Sequence, residues 1–160
     1  MAGSQGHRRY RRVRETAAAG YSPAPPSAGV AGILLDSDVV IEVLRGRREI
    51  SDGIRALERQ GVPTYCCAVT FAEIWAGLRG GEEAVTEAFF HARGEVALDA
   101  AVGRRAGAYL SRYSRSHGLE IADALVAAAA TTAGFRLWTL NKRHYPMADL
   151  AFHDAPDRAR

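Results

Sequence analysis

From Val30 onward, short apolar runs alternate with longer stretches in which apolar residues recur every three or four positions. The two periods predict strands alternating with helices. "VAGILL" (30–35) reads as a buried strand, and 38–45 as a helix with Asp38 as its N-cap. Ile50, Ile54 and Leu57 share one face of a helix over 48–59. "PTYCCAV" (63–69) reads as a second strand ending at Thr70, where "TFAEIWAGLR" opens a helix with Phe71, Ile74, Trp75 and Leu78 on one stripe. Val85, Ala88, Phe89 and Ala92 repeat the helical spacing over 82–92, and "EVALD" (95–99) predicts a third strand. A long helix over about 99–117 follows, then "ADALVAAAATTAG" as a helix with a glycine stop, "FRLWTL" (135–140) as a fourth strand and "LAF" (150–152) as an optional fifth.

Strands separated by helices need right-handed crossovers, so the expected class is α/β: a three-layer α/β/α sandwich around a mainly parallel sheet of four to five strands. In such sheets, sites form outside the carboxyl ends of the strands. That rule selects Asp36 and Asp38 after strand one, Glu73 one helical turn after strand two, and Thr139 and Asn141 after strand four. Asp123 heads the helix containing "ALVAAAA", which is apolar all round and therefore predicted to be buried.

Charge narrows the picture by its location. The whole chain of 160 residues carries a net +3, but residues 1–29 hold five arginines (Arg8, Arg9, Arg11, Arg12, Arg14) against Glu15, which leaves 30–160 at −1. The expected organisation is a disordered basic extension over 1–29, a folded domain over 30–155 and a short tail over 156–160. No apolar run approaches the ~18 to 20 residues of a membrane span, and no secretory apolar segment is evident. Cys66 and Cys67 are adjacent in a strand and point to opposite faces, which disfavours a disulfide and suggests a reducing, cytoplasmic setting.

Each acid also has a structural explanation. Asp38 serves as an N-cap, Glu73 completes a Thr70/Glu73 capping box, and Asp123 complements its helix dipole. Asp36 is the acid for which no capping or turn role is evident. On its helix, Glu73 points away from the apolar stripe and lies on a face of small residues, Ala72, Ala76 and Gly77, which would admit a close neighbour. Carboxylates gathered without a Cys/His set suit a hard cation such as Mg²⁺ or Mn²⁺. Such a site activates water and polarises a phosphodiester.

"LLDSDVVIEVLRG" also resembles the first motif of haloacid-dehalogenase-type phosphatases, but that family needs a lysine well after its second strand and then an acidic pair. The only lysine here, Lys142, falls at the last strand. The same stretch, followed by "AVTFAEIWAGLRGG" and "GLEIADALVAAAATTAGFRLWTLNKRHY", resembles the PIN-domain ribonucleases, most closely the VapC-like toxins of bacterial toxin-antitoxin pairs. The resemblance implies that Asp36, Glu73 and Asp123 bind Mg²⁺ and carry RNA cleavage. The family often has a fourth acid after strand four; here "TLNKRHY" supplies Asn141 and His144, so Thr139 and Asn141 are the polar auxiliaries. It further implies an RNA substrate, a homodimer and a cognate antitoxin that covers the groove. The alternative is a catalytically silent PIN-like module that binds RNA or a partner.

One independent hint of RNA contact lies on the long helix. Arg104, Arg105, Arg112 and Arg115 fall in one sector opposite Val102, Ala106, Tyr109, Leu110 and Tyr113. A solvated face on an ordinary amphipathic helix is the preferred explanation, although clustered arginines also suit phosphate. Because the basic extension lies outside the motifs, a chain beginning at Val30 is expected to keep a single thermal transition by circular dichroism; its loss would make residues 1–29 part of the core.

Overall fold

The computed structural model describes residues 32–154. The predicted extension over 1–29 and the tail over 156–160 therefore lie outside the described residues. Four strands, β1 (Ile33–Leu35), β2 (Thr64–Cys67), β3 (Gly94–Val96) and β4 (Arg136–Trp138), form one sheet in the order β3-β2-β1-β4. All three pairings are parallel, with Leu34 opposite both Tyr65 and Leu137. The six helices are α1 (Ser37–Leu44), α2 (Arg48–Arg59), α3 (Ala68–Ala76), α4 (Glu83–His91), α5 (Ala100–His117) and α6 (Ile121–Ala133). "LAF" contributes a single parallel bridge, Phe152 to Leu137, beside β4. Among the described residues no helix is long and apolar enough to cross a membrane.

The alternation of side chains along each strand divides the core into two layers. Leu34, Cys67 and Leu137 face α5 and α6, where Val102, Ala106, Tyr109, Val126 and Ala127–Ala130 are buried. Ile33, Leu35, Cys66 and Trp138 face the other way, against Val39, Val40, Ile50, Ile54, Leu57, Ile74, Phe89 and Phe90. The two cysteines are free and buried on opposite faces, as their adjacency in a strand implied. Helix α6 is buried over most of its length, and Gly134 ends it in the left-handed conformation at φ 69°. Small side chains let α6 lie close on the sheet, which matters because its first turn carries Asp123.

Helix starts differ from the sequence reading in two places. The first helix begins at Ser37, and its cap is Asp36, whose side chain accepts from Ser37 N at 2.8 Å. Asp38 is therefore inside the first turn and caps nothing. The second strand ends at Cys67, and α3 begins at Ala68. Thr70, wholly buried, sends its hydroxyl across to Leu35 O at 3.3 Å, so it stitches α3 to the end of β1 and no Thr70/Glu73 capping box forms.

Trp138, the largest fully buried side chain, is seated against Gly53 of α2: a Cβ there would stand 2.7 Å from Trp138 Cη2. Replacing a mid-helix glycine by alanine ordinarily stabilises by about 0.5–1 kcal/mol. Gly53→Ala is expected to reverse the sign and destabilise by about 1–3 kcal/mol, because the indole has no room to move. Gly107→Ala on α5, where nothing lies within 4 Å, provides the stabilising control. Urea denaturation of the two variants checks both signs.

Candidate acidic site

The strand order places a switch point at β1. The chain proceeds outward from β1 to β2 and β3, then returns through α5 and α6 to pair β4 on the other side of β1. A crevice opens outside the carboxyl ends of strands at such a point. Here it is a cavity of about 190 Å³ lined by Asp36, Asp38, Glu73, Asp123, Asn141 and His144, with Ser37, Tyr145 and apolar side chains completing the wall.

Different elements deliver these groups. Asp36 follows β1, and its backbone extends the ladder by donating from N to Trp138 O at 3.0 Å. Both of its carboxylate oxygens have donors: Oδ1 takes Ser37 N, and Oδ2 takes the buried Tyr145 hydroxyl at 2.7 Å. Asp36 is 9% exposed, and its carboxylate is held in one orientation by chain segments 109 residues apart. Asp38 is held from the same side. Its Oδ2 accepts from Thr139 Oγ1 at 3.1 Å and from Leu140 N at 2.9 Å, whereas its Oδ1 is buried without a hydrogen-bond partner. Thr139 Oγ1 in turn accepts from Asn141 N at 3.1 Å.

These bonds latch the segment after β4 onto the turn after β1. A short 3₁₀ turn, Lys142–His144, then carries the imidazole over α6. His144 Nδ1 stands 3.9 Å from Asp123 Oδ2, and its Nε2 is 3.0 Å from Asn141 Nδ2. Glu73 projects from α3 and is exposed.

Electrostatics reflect the crowding. Burial, reinforced by the charge of Asp36, pushes the Asp38 carboxyl up to about 6 against the hydrogen bonds from Leu140 and Thr139. Burial likewise raises Asp123; His144 opposes the shift, and Asp36, Glu120 and Glu73 add to it. Burial first, then the Asp36 carboxylate, keeps the Tyr145 phenol protonated far above its ordinary range. Among the described residues, no three His, Cys, Asp or Glu side chains converge closely enough to ligate an ion jointly as they stand.

Asp36, Glu73, Asp123 and Asn141, singled out in the sequence, all line this cavity. Thr139 does not line it and acts through Asp38 and Asn141. The α5 arginines stand apart: none of Arg104, Arg105, Arg112 and Arg115 lines the cavity. All four are exposed, with Arg105 3.4 Å from Asp149 and Arg112 5.3 Å from the Tyr113 ring centre. Tyr145 and the latching role of Asp38 were not foreseen. Nothing local marks them, because their partners lie about a hundred residues away along the chain.

The chain is similar to known proteins over most of the described residues. Over 117 residues the chain is 37% identical to ribonuclease VapC10 of Mycobacterium tuberculosis, which spans 72% of this chain and 86% of that protein. A DNA-bound VapBC structure from Salmonella typhimurium shares the fold at a TM-score of 0.68 and 16% identity, covering 78% of this chain and 98% of that one. A toxin-antitoxin complex from Klebsiella pneumoniae does so at 0.61 and 20% identity, covering 75% and 96%. The PIN domain family model matches residues 33–150, the stretch that contains all four strands and every acid of the cavity, and the chain belongs to the PIN domain family.

Proposed function

We propose that the protein is a divalent-cation-dependent ribonuclease that hydrolyses RNA phosphodiester bonds with Asp36, Glu73 and Asp123 as its catalytic carboxylates. The observation that carries this reading is the meeting of those three acids, from three separate elements, around one cavity at the switch point of a parallel sheet. The 37% identity to a ribonuclease supports the substrate class.

The residues present fit a hard cation. The lining offers carboxylate and amide oxygens and no thiol, and it includes a buried carboxylate oxygen, Asp38 Oδ1, without a well-formed hydrogen bond. Mg²⁺ commonly takes one or two carboxylates directly and retains waters, so it does not need all of these acids to converge on it, and Mn²⁺ accepts the same oxygen ligands. When bound, such an ion lowers the pKa of water and polarises a phosphoryl oxygen.

The chain's own groups have separable tasks. Asp36 is preorganised by its two donors, so little side-chain freedom is lost when it engages a ligand. Glu73, exposed at the rim, and Asp123, partly covered by His144, supply further negative charge. The Asn141 amide, with one N–H directed to His144 Nε2, has a second N–H for a phosphate or ribose oxygen. The biological role that matches the VapC-like motifs is that of a toxin, homodimeric and inhibited by a cognate antitoxin. A silent RNA- or partner-binding module is the second reading, favoured by Asn141 standing where an acid is common in the family.

The test is incubation of the purified chain with structured RNAs, with Mg²⁺ and with chelator. Cleavage is expected only with Mg²⁺; RNA binding without cleavage under both conditions would favour the silent module. Asp36→Asn is expected to lower cleavage at least about 100-fold, since even residues supporting a metal site often contribute 10–100-fold. It should change stability by no more than about 1 kcal/mol, because asparagine caps a helix as well as aspartate does. Near-wild-type cleavage by a folded Asp36→Asn protein would remove Asp36 from the chemistry.

The pH dependence follows from Asp38. A carboxyl raised to about 6 binds its proton more tightly in the folded chain than in the unfolded one, so this group favours the metal-free fold at low pH. That contribution is lost as pH climbs from about 4 to about 6. Divalent-cation affinity should move the opposite way, rising between about pH 5 and 7 and levelling above. Calorimetric titration with Mn²⁺ across this range checks the direction.

A further inference from the structure

We infer that Asp38 serves as a fourth carboxylate of the cavity, with one oxygen anchoring the segment after β4 and the other reserved for the divalent cation. The inference rests on reading the cavity as a cation site and makes Asp38, which is not among the three catalytic carboxylates, a direct ligand of the ion. Three observations carry it. Asp36 already caps α1, so Asp38 has no capping duty. Its Oδ2 is fully engaged, by Thr139 Oγ1 and Leu140 N, which fixes how the carboxylate is turned. Its Oδ1 is buried without a well-formed hydrogen bond, the Val39 N–H being the further donor toward this carboxylate, and the side chain lines the cavity beside Asp36.

The anchor alone does not require a charge. An asparagine would accept from Thr139 and Leu140 through its single carbonyl oxygen, and it would avoid burying a second carboxylate next to Asp36. A buried acceptor without a donor is destabilising, the more so when it is charged. Asparagine would in turn bury amide N–H groups in place of Oδ1, so what the carboxylate adds is a charged oxygen for a cation, held at the cost of like charge beside Asp36. With Asp38 included, the turn after β1 provides two carboxylates two residues apart, both oriented by the segment after β4.

The experiment measures Mn²⁺ binding by the full chain, from the electron paramagnetic resonance signal of free Mn²⁺, together with the thermal midpoint of the metal-free protein. Wild type is compared with Asp38→Asn, and with Asp38→Ser as a second neutral acceptor. Asp38→Asn is expected to weaken Mn²⁺ binding about 10–100-fold. Its metal-free midpoint should equal or exceed that of wild type, because a like-charge contact is removed. A purely anchoring role would leave affinity unchanged, so wild-type affinity in both variants overturns the inference while the cation-site reading stands. A midpoint that falls together with affinity, or loss of folding in both variants, would make the carboxylate structural and overturn it equally. Absence of Mn²⁺ binding in wild type would overturn the cation-site reading and this inference with it.

Discussion

Two carboxylates at the end of the central strand set the terms for everything around them. Asp36 and Asp38 sit where β1 runs out among apolar layers, and a charge in that position destabilises the fold unless donors reach it. The chain meets this constraint with a distant segment: Tyr145 reaches Asp36, while Thr139 and Leu140 reach Asp38. Those bonds hold the stretch after β4 across the crevice, and the stretch brings Asn141 and His144 with it. The segment is also anchored by Tyr145, Met147 and Leu150 in the core and by backbone bonds between Leu137 and Ala151 and His153, so it reaches the carboxylates from a fixed base.

The remaining elements bring other acids to the same crevice. Small side chains along α6 let it press against the sheet, so its first turn sets Asp123 at the cavity. Thr70 ties α3 to Leu35 O at the end of β1, which brings the helix bearing Glu73 to the rim. Each acid is thus positioned by a contact that also serves the core, and burial, with the neighbouring carboxylates adding to it, raises the carboxyls of Asp38 and Asp123.

What the sequence made legible follows from period and composition, which are local. The helix over 48–59, the buried alanine-rich helix stopped by Gly134, the opposed cysteines and the parallel sheet all depend on short-range patterns, and they stand in the fold as read. The acids that line the cavity were legible from the carboxyl-end rule together with family motifs. Helix caps were not, because the choice between Asp36 and Asp38 as cap turns on donors supplied by Leu140 and Tyr145, over a hundred residues later. Thr70 looked like a cap for the same reason: only the folded chain brings Leu35 O within reach of its hydroxyl. The arginine face of α5 was correctly read as exposed and opposite the packed side, but a helical wheel carries no information about how far that face lies from the acids.

Anomalous diffraction from crystals grown with Mn²⁺ asks directly whether these carboxylates serve one ion. A peak inside the cavity, with oxygens of Asp36 or Asp123 within ligating distance and Glu73 and Asp38 facing the same ion or its waters, is the expected result. An empty cavity at saturating Mn²⁺, or a peak confined to surface acids elsewhere, would contradict it.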